Sequence, residues 1–281
     1  MNPFTDVDYA RCWIELQKVR RAPDNSSYWD KRAENYGTGR PSGYADRFIE
    51  LLELEDGDTV FDMGCGSGAL TLPLARAGHR VVAADFSQGM LDRMYEDAER
   101  GAVDGYDGLD NVTVKRISWE DDWTAAGIGE NCVDVAVASR SIAVADLGHA
   151  IAKLNAVARR KVAITLSTDG NPRCNSTILH AIGRESASEY DAIFAINILW
   201  QRGLRPEVRY IDAPRISHNA TREAAIAHTR ETLGAMTDEE QRRFNAFSDE
   251  HLVEVEENGQ TWWMYDFRRE PTWAFISWET N

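Results

Sequence analysis

Asp62-Met63-Gly64-Cys65-Gly66-Ser67-Gly68-Ala69 is the stretch that decides the fold. It completes a short apolar run, Thr59-Val60-Phe61-Asp62-Met63, and leads into residues 69–77, whose pattern predicts a helix. A buried strand that enters a glycine loop and leaves it as a helix opens a βαβ unit. Glycines are required where a backbone turns sharply and a ligand lies against it, because a Cβ would clash. The helix that follows offers free N–H groups to the same ligand.

Outward from the loop, Arg80–Phe86, Asn111–Ile117, Val133–Ser139 and Lys161–Ser167 read as further strands, with helices over about Gln88–Arg100 and Asp146–Ala158. Strands alternating with helices predict a doubly wound parallel sheet with right-handed crossovers. Upstream, Thr5 and Asp8 resemble a capping box, and Tyr9, Cys12, Trp13, Leu16 and Val19 form the apolar face of a first helix. A second amphipathic helix is expected over about Ser42–Leu54. After Thr168 the pattern loosens into helices over Asn175–Ser186, Tyr190–Gly203 and Thr221–Met236, with a strand at Glu207–Ile211. Thr237 and Glu240 form a capping box for a helix to about Leu252. Thr261–Phe267 and Trp273–Trp278 are expected as strands on the closing edge of the sheet.

The chain has 281 residues, 43% hydrophobic and 10% aromatic, enough to bury a sizeable core and to exclude disordered or collagen-like classes. No stretch approaches the ~20 consecutive apolar residues of a membrane span. The first residues, Met1 to Arg20, are amphipathic and carry acids, unlike a signal or transit peptide, so a cytoplasmic location is expected. With 31 basic and 46 acidic side chains the net charge is -15, which argues against non-specific nucleic-acid binding. Cys12, Cys65, Cys132 and Cys174 form no C-x-x-C pair and read as reduced thiols. The six histidines show no ligand spacing, so no metal site is expected.

The loop has two functional readings. As G-x-G-x-x-A it fits a dinucleotide site, with a pyrophosphate on the helix N-terminus and Asp85 on a ribose. As D-x-G-x-G-x-G it resembles motif I of the class I S-adenosylmethionine-dependent methyltransferases. Asp62, in a buried strand end, needs a charged or polar partner; a methionine ammonium supplies one, whereas a pyrophosphate repels it. The loop also lies about sixty residues into the chain behind two helices, and no Tyr-x-x-x-Lys couple occurs. These features favour the methyltransferase. A glycine turn beside a solvated aspartate is the plain alternative.

The resemblance runs from about Tyr28 to Ser167 and more weakly to the carboxyl end, and the whole chain looks like small methyltransferases of anaerobic bacteria and archaea with unassigned substrates. It implies a Rossmann-like α/β fold: a doubly wound, seven-stranded sheet, mostly parallel with an antiparallel closing strand, and a helical cover over the strand ends. Residues 1–57 would form N-terminal helices and a cofactor lid, 58–170 the cofactor-binding core, and 171–281 a substrate cover plus closing strands. S-adenosyl-L-methionine would be the cofactor and S-adenosyl-L-homocysteine the product. The implied cofactor set is Tyr28, Tyr36 and Arg40 upstream; Asp62, Gly64, Cys65, Gly66 and Gly68 in the loop; Asp85 on the ribose with Phe86 and Ser87 beside it; Trp119 and Glu120 at the adenine; and Ser139 at the reaction mouth. Ser118 stands where the family often has an aspartate, which shifts adenine contact toward Trp119 and Glu120 or Asp121.

At the fourth-strand mouth, DNA and some RNA or protein amide methyltransferases carry Asn/Asp-Pro-Pro-Tyr/Phe. This chain has Ser139-Arg140-Ser141, which disfavours amino-group methylation of bases. No catalytic base is identified; His149, His180 and the carboxylates after Glu120 are candidates by position. Arg140 is placed to meet a substrate carboxylate or phosphate, or a surface acid. Cys174 and His180 are read as packing or pocket lining. The expectation is methyl transfer to a small molecule, with an NAD-dependent oxidoreductase or a non-catalytic cofactor binder as alternatives. Nucleic acid and membrane are not expected as partners, and the oligomeric state is open, a homodimer included.

Overall fold

A computed structural model describes residues 6–20, 26–33, 43–101, 109–168, 175–184, 190–213, 219–257, 259–267 and 272–280. In chain order the elements are α1 (Tyr9–Arg20), α2 (Ser26–Ala33), α3 (Tyr44–Leu52), β1 (Thr59–Met63), α4 (Thr71–Arg76), β2 (Arg80–Asp85) and α5 (Gln88–Arg100). There follow β3 (Val112–Arg116), β4 (Val133–Ser139), α6 (Leu147–Val157), β5 (Ala158–Ser167), α7 (Ser176–Ala181), α8 (Asp191–Gln201) and β6 (Glu207–Asp212). The chain then forms α9 (Arg222–Leu233), α10 (Asp238–His251), β7 (Leu252–Glu257), β8 (Gln260–Tyr265) and β9 (Thr272–Glu279). It divides into two compact units, Met1–Leu166 with Asp191–Ile211 and Ala274–Asn281, and Ser167–Tyr190 with Asp212–Trp273.

The first unit is built on a seven-stranded sheet in the order β3-β2-β1-β4-β5-β9-β6, mostly parallel with one antiparallel strand, as the sequence predicts. β1 pairs in parallel with β2 on one side and β4 on the other, and β2 with β3 and β4 with β5 are also parallel. Strand order therefore reverses between β1 and β4, the switch point at whose carboxyl end open α/β sheets bind ligands. Val60, Phe61, Val135 to Ala138 and Val162 to Ile164 are buried, the continuous apolar run of strands covered on both faces. α3 presents a Tyr44, Phe48 and Leu52 stripe to this core, and Phe48 meets Phe275 of β9 edge-on at 5.0 Å.

Three expectations need correction. β9 does not close the sheet at its edge but lies between β5 and β6, with six consecutive buried residues, so β6 takes the edge. The strand expected at Thr261–Phe267 is not in this sheet: β8 pairs antiparallel with β7 as a separate hairpin, from Leu252↔Tyr265 to Glu257↔Gln260. In α1 the apolar face is narrower than expected. Trp13 is fully buried and meets Phe194 edge-on at 5.7 Å, whereas Cys12 is exposed and Val19 is 83% exposed. Asp8 does cap α1, accepting from the Arg11 amide at 3.0 Å; Thr5 lies outside the described residues.

The second unit packs α7, α9 and α10 around the fully buried Phe244, with Ile178, Leu179, Ile182 and Leu233 against it. The Thr237–Glu240 capping box is present at the start of α10. Glu240 also receives the Arg184 guanidinium at 2.7 Å, and Arg184 donates to the Leu233 and Ala235 carbonyls.

Candidate functional site

The glycine loop sits at the carboxyl end of β1, beside the switch point. The Gly64 and Cys65 amides both donate to the Ala84 carbonyl, at 2.7 and 3.0 Å, fastening the loop to β2. Gly64, Gly66 and Gly68 all have positive φ, +75°, +54° and +82°. Their surroundings differ. A Cβ on Gly64 would lie 2.3 Å from that of Ser141, and one on Gly68 would lie 2.6 Å from Met94 Cγ. A Cβ on Gly66 would meet nothing within 4 Å. Gly66 thus floors an open cradle, while its neighbours are required by close packing.

Two buried carboxyls flank that cradle. Asp62 Oδ2 accepts from Thr71 Oγ1 at 2.7 Å, and burial pushes its pKa up to about 6, against the Thr71 bond and with help from Asp85 repulsion. Asp85 Oδ2 accepts from the Gly66 amide and Oδ1 from the Ser87 amide, both at 2.9 Å. Burial raises the Asp85 pKa too, and the amides of Ser87, Gly66 and Phe86 oppose it. A carboxylate has about four acceptor sites, so these amides leave Asp85 with acceptor capacity for a ligand hydroxyl. Burial, then Asp62 and Asp85, push the Cys65 thiol well above its ordinary range, which makes it an inert wall of the loop rather than a nucleophile.

Ser87 caps α5 by accepting from the Met90 amide at 3.2 Å, and its hydroxyl donates to Asp30 Oδ1 at 2.7 Å. Asp30, on α2, also accepts from the Gly89 amide at 3.0 Å, so α2 is clamped to the start of α5. The Ser87 bond, then the Gly89 bond, lower the Asp30 pKa. Phe86 is half-buried, and Tyr28 is exposed with its ring 5.4 Å from Trp29. Tyr36, Arg40 and Cys174 lie outside the described residues.

Beyond β3, Trp119 is half-buried, 5.5 Å from Trp123, and donates through Nε1 to the Ser141 carbonyl at 3.2 Å. Glu120 is exposed. Lys153 of α6 holds this loop by donating to the Trp119 and Asp121 carbonyls at 2.8 and 2.7 Å. Burial pulls the Lys153 ammonium below its ordinary value, against Asp121, Glu120 and Asp122.

The end of β4 carries a cluster that the sequence reading found only in part. Ser139 Oγ lies 2.9 Å from Tyr44 OH, which lies 2.7 Å from Thr165 Oγ1. Thr165 Oγ1 also accepts from the Arg140 amide at 2.9 Å, and Arg140 Cζ stands 4.1 Å over the Tyr44 ring. Ser141 Oγ donates to the Met63 carbonyl at 2.6 Å. Tyr44, Thr165 and Lys153 carry no site signal in the sequence, and Ser141 enters only as part of Ser139-Arg140-Ser141. Tyr44 reads as one member of an apolar helix stripe, and only the sheet order brings Thr165 to it. His149 and His180 are both exposed.

Among the described residues no group of three or more His, Cys, Asp or Glu side chains could hold a metal ion, and no helix is long and apolar enough to cross a membrane. One shallow depression is lined by Thr59, Arg80 and Val133, at the amino ends of the strands, and another by Ile151, Asn155 and Arg202 on α6 and the end of α8. Neither touches the glycine loop. The cradle over Gly66, the remaining acceptor capacity of Asp85 and the buried Asp62 fit a ligand with vicinal hydroxyls and a cationic group, as in S-adenosyl-L-methionine.

Comparison with known proteins bears on the family and the fold. The family described as a methyltransferase domain matches residues 60–161. A Haemophilus influenzae protein without an assigned function is 31% identical over 250 residues, 85% of this chain and 89% of that one. A 60-residue stretch is 43% identical to the 23S rRNA (uracil(1939)-C(5))-methyltransferase RlmD of Burkholderia pseudomallei, covering 21% of this chain and 13% of that enzyme. A Bacillus halodurans protein assigned provisionally to the methyltransferases superposes with a TM-score of 0.53 at 10% identity, over 84% of this chain and 98% of its own. The YcgJ protein of Bacillus subtilis gives 0.52 at 13% identity, over 86% and 99%.

Proposed function

Since the chain belongs to the class I S-adenosylmethionine-dependent methyltransferases, we propose that it transfers the methyl group of S-adenosyl-L-methionine to a small-molecule acceptor by in-line displacement. The sulfonium cofactor supplies the reactivity; the protein supplies orientation and exclusion of water. The observation that carries the reading is Asp85, oriented by the Gly66 and Ser87 amides at the rim of the open face of Gly66. In this reading Asp85 accepts from both ribose hydroxyls, and Asp62 meets the methionine ammonium. Trp119 and Glu120 border the adenine, with Phe86 beside it, and Ser139 stands at the mouth where the acceptor enters.

A small acceptor is supported by the net charge of -15, which opposes a polyanion, and by Ser139-Arg140-Ser141 in place of a base-methylating mouth. No base is assigned, and a soft acceptor such as a thiol needs none.

Calorimetry with S-adenosyl-L-homocysteine and with NAD tests the cofactor. Binding of the first and not the second is expected. Asp85→Asn should weaken it by about 1.5–3 kcal/mol, the value of hydrogen bonds to a charged group, with the melting temperature recorded as a fold control. Affinity for NAD alone would overturn the family chemistry. For the acceptor, the protein is incubated with methyl-labelled cofactor and a cell extract split by mass. Label is expected in the low-mass fraction, and label confined to RNA or protein would exclude a small acceptor.

A further inference from the structure

Arg140 has φ +58°, one of three non-glycine residues with positive φ among the described ones. An arginine gains nothing locally from that conformation, which costs about 1–2 kcal/mol, and such strain persists only where the surroundings over-determine it. Here they do. The preceding residue is held by Ser139 Oγ on Tyr44 OH, the Arg140 amide by Thr165 Oγ1, and the following residue by Ser141 Oγ on the Met63 carbonyl and Trp119 Nε1 on the Ser141 carbonyl.

The outcome of this pinning is a fixed side chain. The half-buried guanidinium lies over the Tyr44 ring, Cζ 4.1 Å from its centre, and Tyr44 is itself buried and locked through its hydroxyl to Ser139 and Thr165. Stacking uses the face of a guanidinium, and bidentate bonds to an oxyanion use its edge. Immobilising the face in advance removes rotamer entropy that binding would otherwise cost. The position is also specific. Arg140 follows β4 at the switch point, and its neighbour Ser141 fills the space beside Gly64 in the cofactor loop.

We infer that Arg140, stacked on Tyr44, is an oxyanion anchor for the methyl acceptor, and that the acceptor carries a carboxylate or a phosphate group. This rests on the cofactor reading above, and it adds the acceptor's chemical class. Tyr44, Ser139 and Thr165 act as positioning residues for Arg140. A carboxylate can come from two sources here, the acceptor or the methionine arm of the cofactor.

The test uses the full chain saturated with S-adenosyl-L-homocysteine, titrated with benzoate, succinate, phenyl phosphate and inorganic phosphate. Binding of at least one probe is expected. Arg140→Asn, which tolerates positive φ, should lose that binding by tenfold or more while S-adenosyl-L-homocysteine still binds within twofold of wild type and the melting temperature holds. Tyr44→Phe keeps the ring and removes the hydroxyl that orients it; a several-fold loss for the anion, and none for the cofactor product, is expected. If Arg140→Asn instead weakens S-adenosyl-L-homocysteine tenfold and leaves its decarboxylated analogue unchanged, Arg140 reads the cofactor carboxylate and the inference is overturned. It is equally overturned if wild type binds the cofactor product but none of the anions, or if the variant binds them as well as wild type. Failure of wild type to bind the cofactor product would strike the cofactor reading itself.

Discussion

At Gly64 an added methyl group would collide with Ser141, whereas at Gly66 it would project into open space. The two substitutions therefore separate packing from binding. Gly64→Ala combines left-handed strain with overpacking and should cost about 2–4 kcal/mol in urea unfolding. Gly66→Ala should cost only the strain, about 1–2 kcal/mol, yet weaken S-adenosyl-L-homocysteine tenfold or more. Equal affinity for the two proteins would show that the cradle is not where the ligand lies. Asp62 makes a pH prediction. Its folded pKa of about 6 exceeds the unfolded value of about 3.9, so the native state holds a proton that the unfolded chain has released. The stability this contributes is complete below about pH 4 and is lost as pH rises through 6. Asp62→Asn lacks that loss, so its stability relative to wild type should climb between pH 4 and 7 and then level, as denaturation at each pH would reveal. A flat difference would mean that Asp62 is not buried as a near-neutral acid. Asp62, the glycines and Asp85 were legible because each occupies a fixed place in a contiguous strand-loop-helix pattern. Tyr44 and Thr165 were not, since 121 residues separate them and only the sheet order joins them.

Elements were legible where a local signal was strong. The helix expected over Gln88–Arg100 and the strand expected over Val133–Ser139 match α5 and β4 to the residue. The capping box of α10 was equally plain, and it does more than end a helix, because Glu240 serves both the Thr237 amide at 2.7 Å and Arg184. The Arg184 bond, followed by the Thr237 amide, depresses the Glu240 pKa to about 2. Thr237→Ala should cost about 1 kcal/mol and speed amide exchange in the first turn of α10. Unaltered exchange there would mean that Arg184 alone fixes the turn. β7 follows directly on the helix expected to end at about Leu252, and its short charged alternation, Leu252-Val253-Glu254-Val255-Glu256, carries no strong strand signal. Asn258-Gly259, a strong signal for a tight hairpin, lies immediately after it. β9 was misplaced although Trp273-Ala274-Phe275-Ile276 is a continuous apolar run, the mark of an interior strand rather than an alternating edge.

For the molecule as a whole, the compact units interleave along the chain, and no composition shift announces where one yields to the other. The net charge of -15 does have a global effect, since like charges repel one another in a compact chain. Raising sodium chloride from about 10 mM to about 150 mM shortens the screening length from roughly 30 Å to 8 Å, and the melting temperature should rise. A fall would mean that the ion pairs, such as Arg184 with Glu240, outweigh the repulsion.

The interior position of β9 reaches beyond the finished structure. Thr168, just past β5, bonds to Thr272, the first residue of β9, across 104 positions of sequence. A ribosome adding roughly 5–20 residues per second therefore takes on the order of 5–20 s to deliver the strand that lies beside β5. For that interval the nascent sheet presents an unpaired apolar border to the cell, the kind of edge on which chains aggregate. The yield of folded protein should therefore depend on how that border is shielded during synthesis, more than on the stability finally reached.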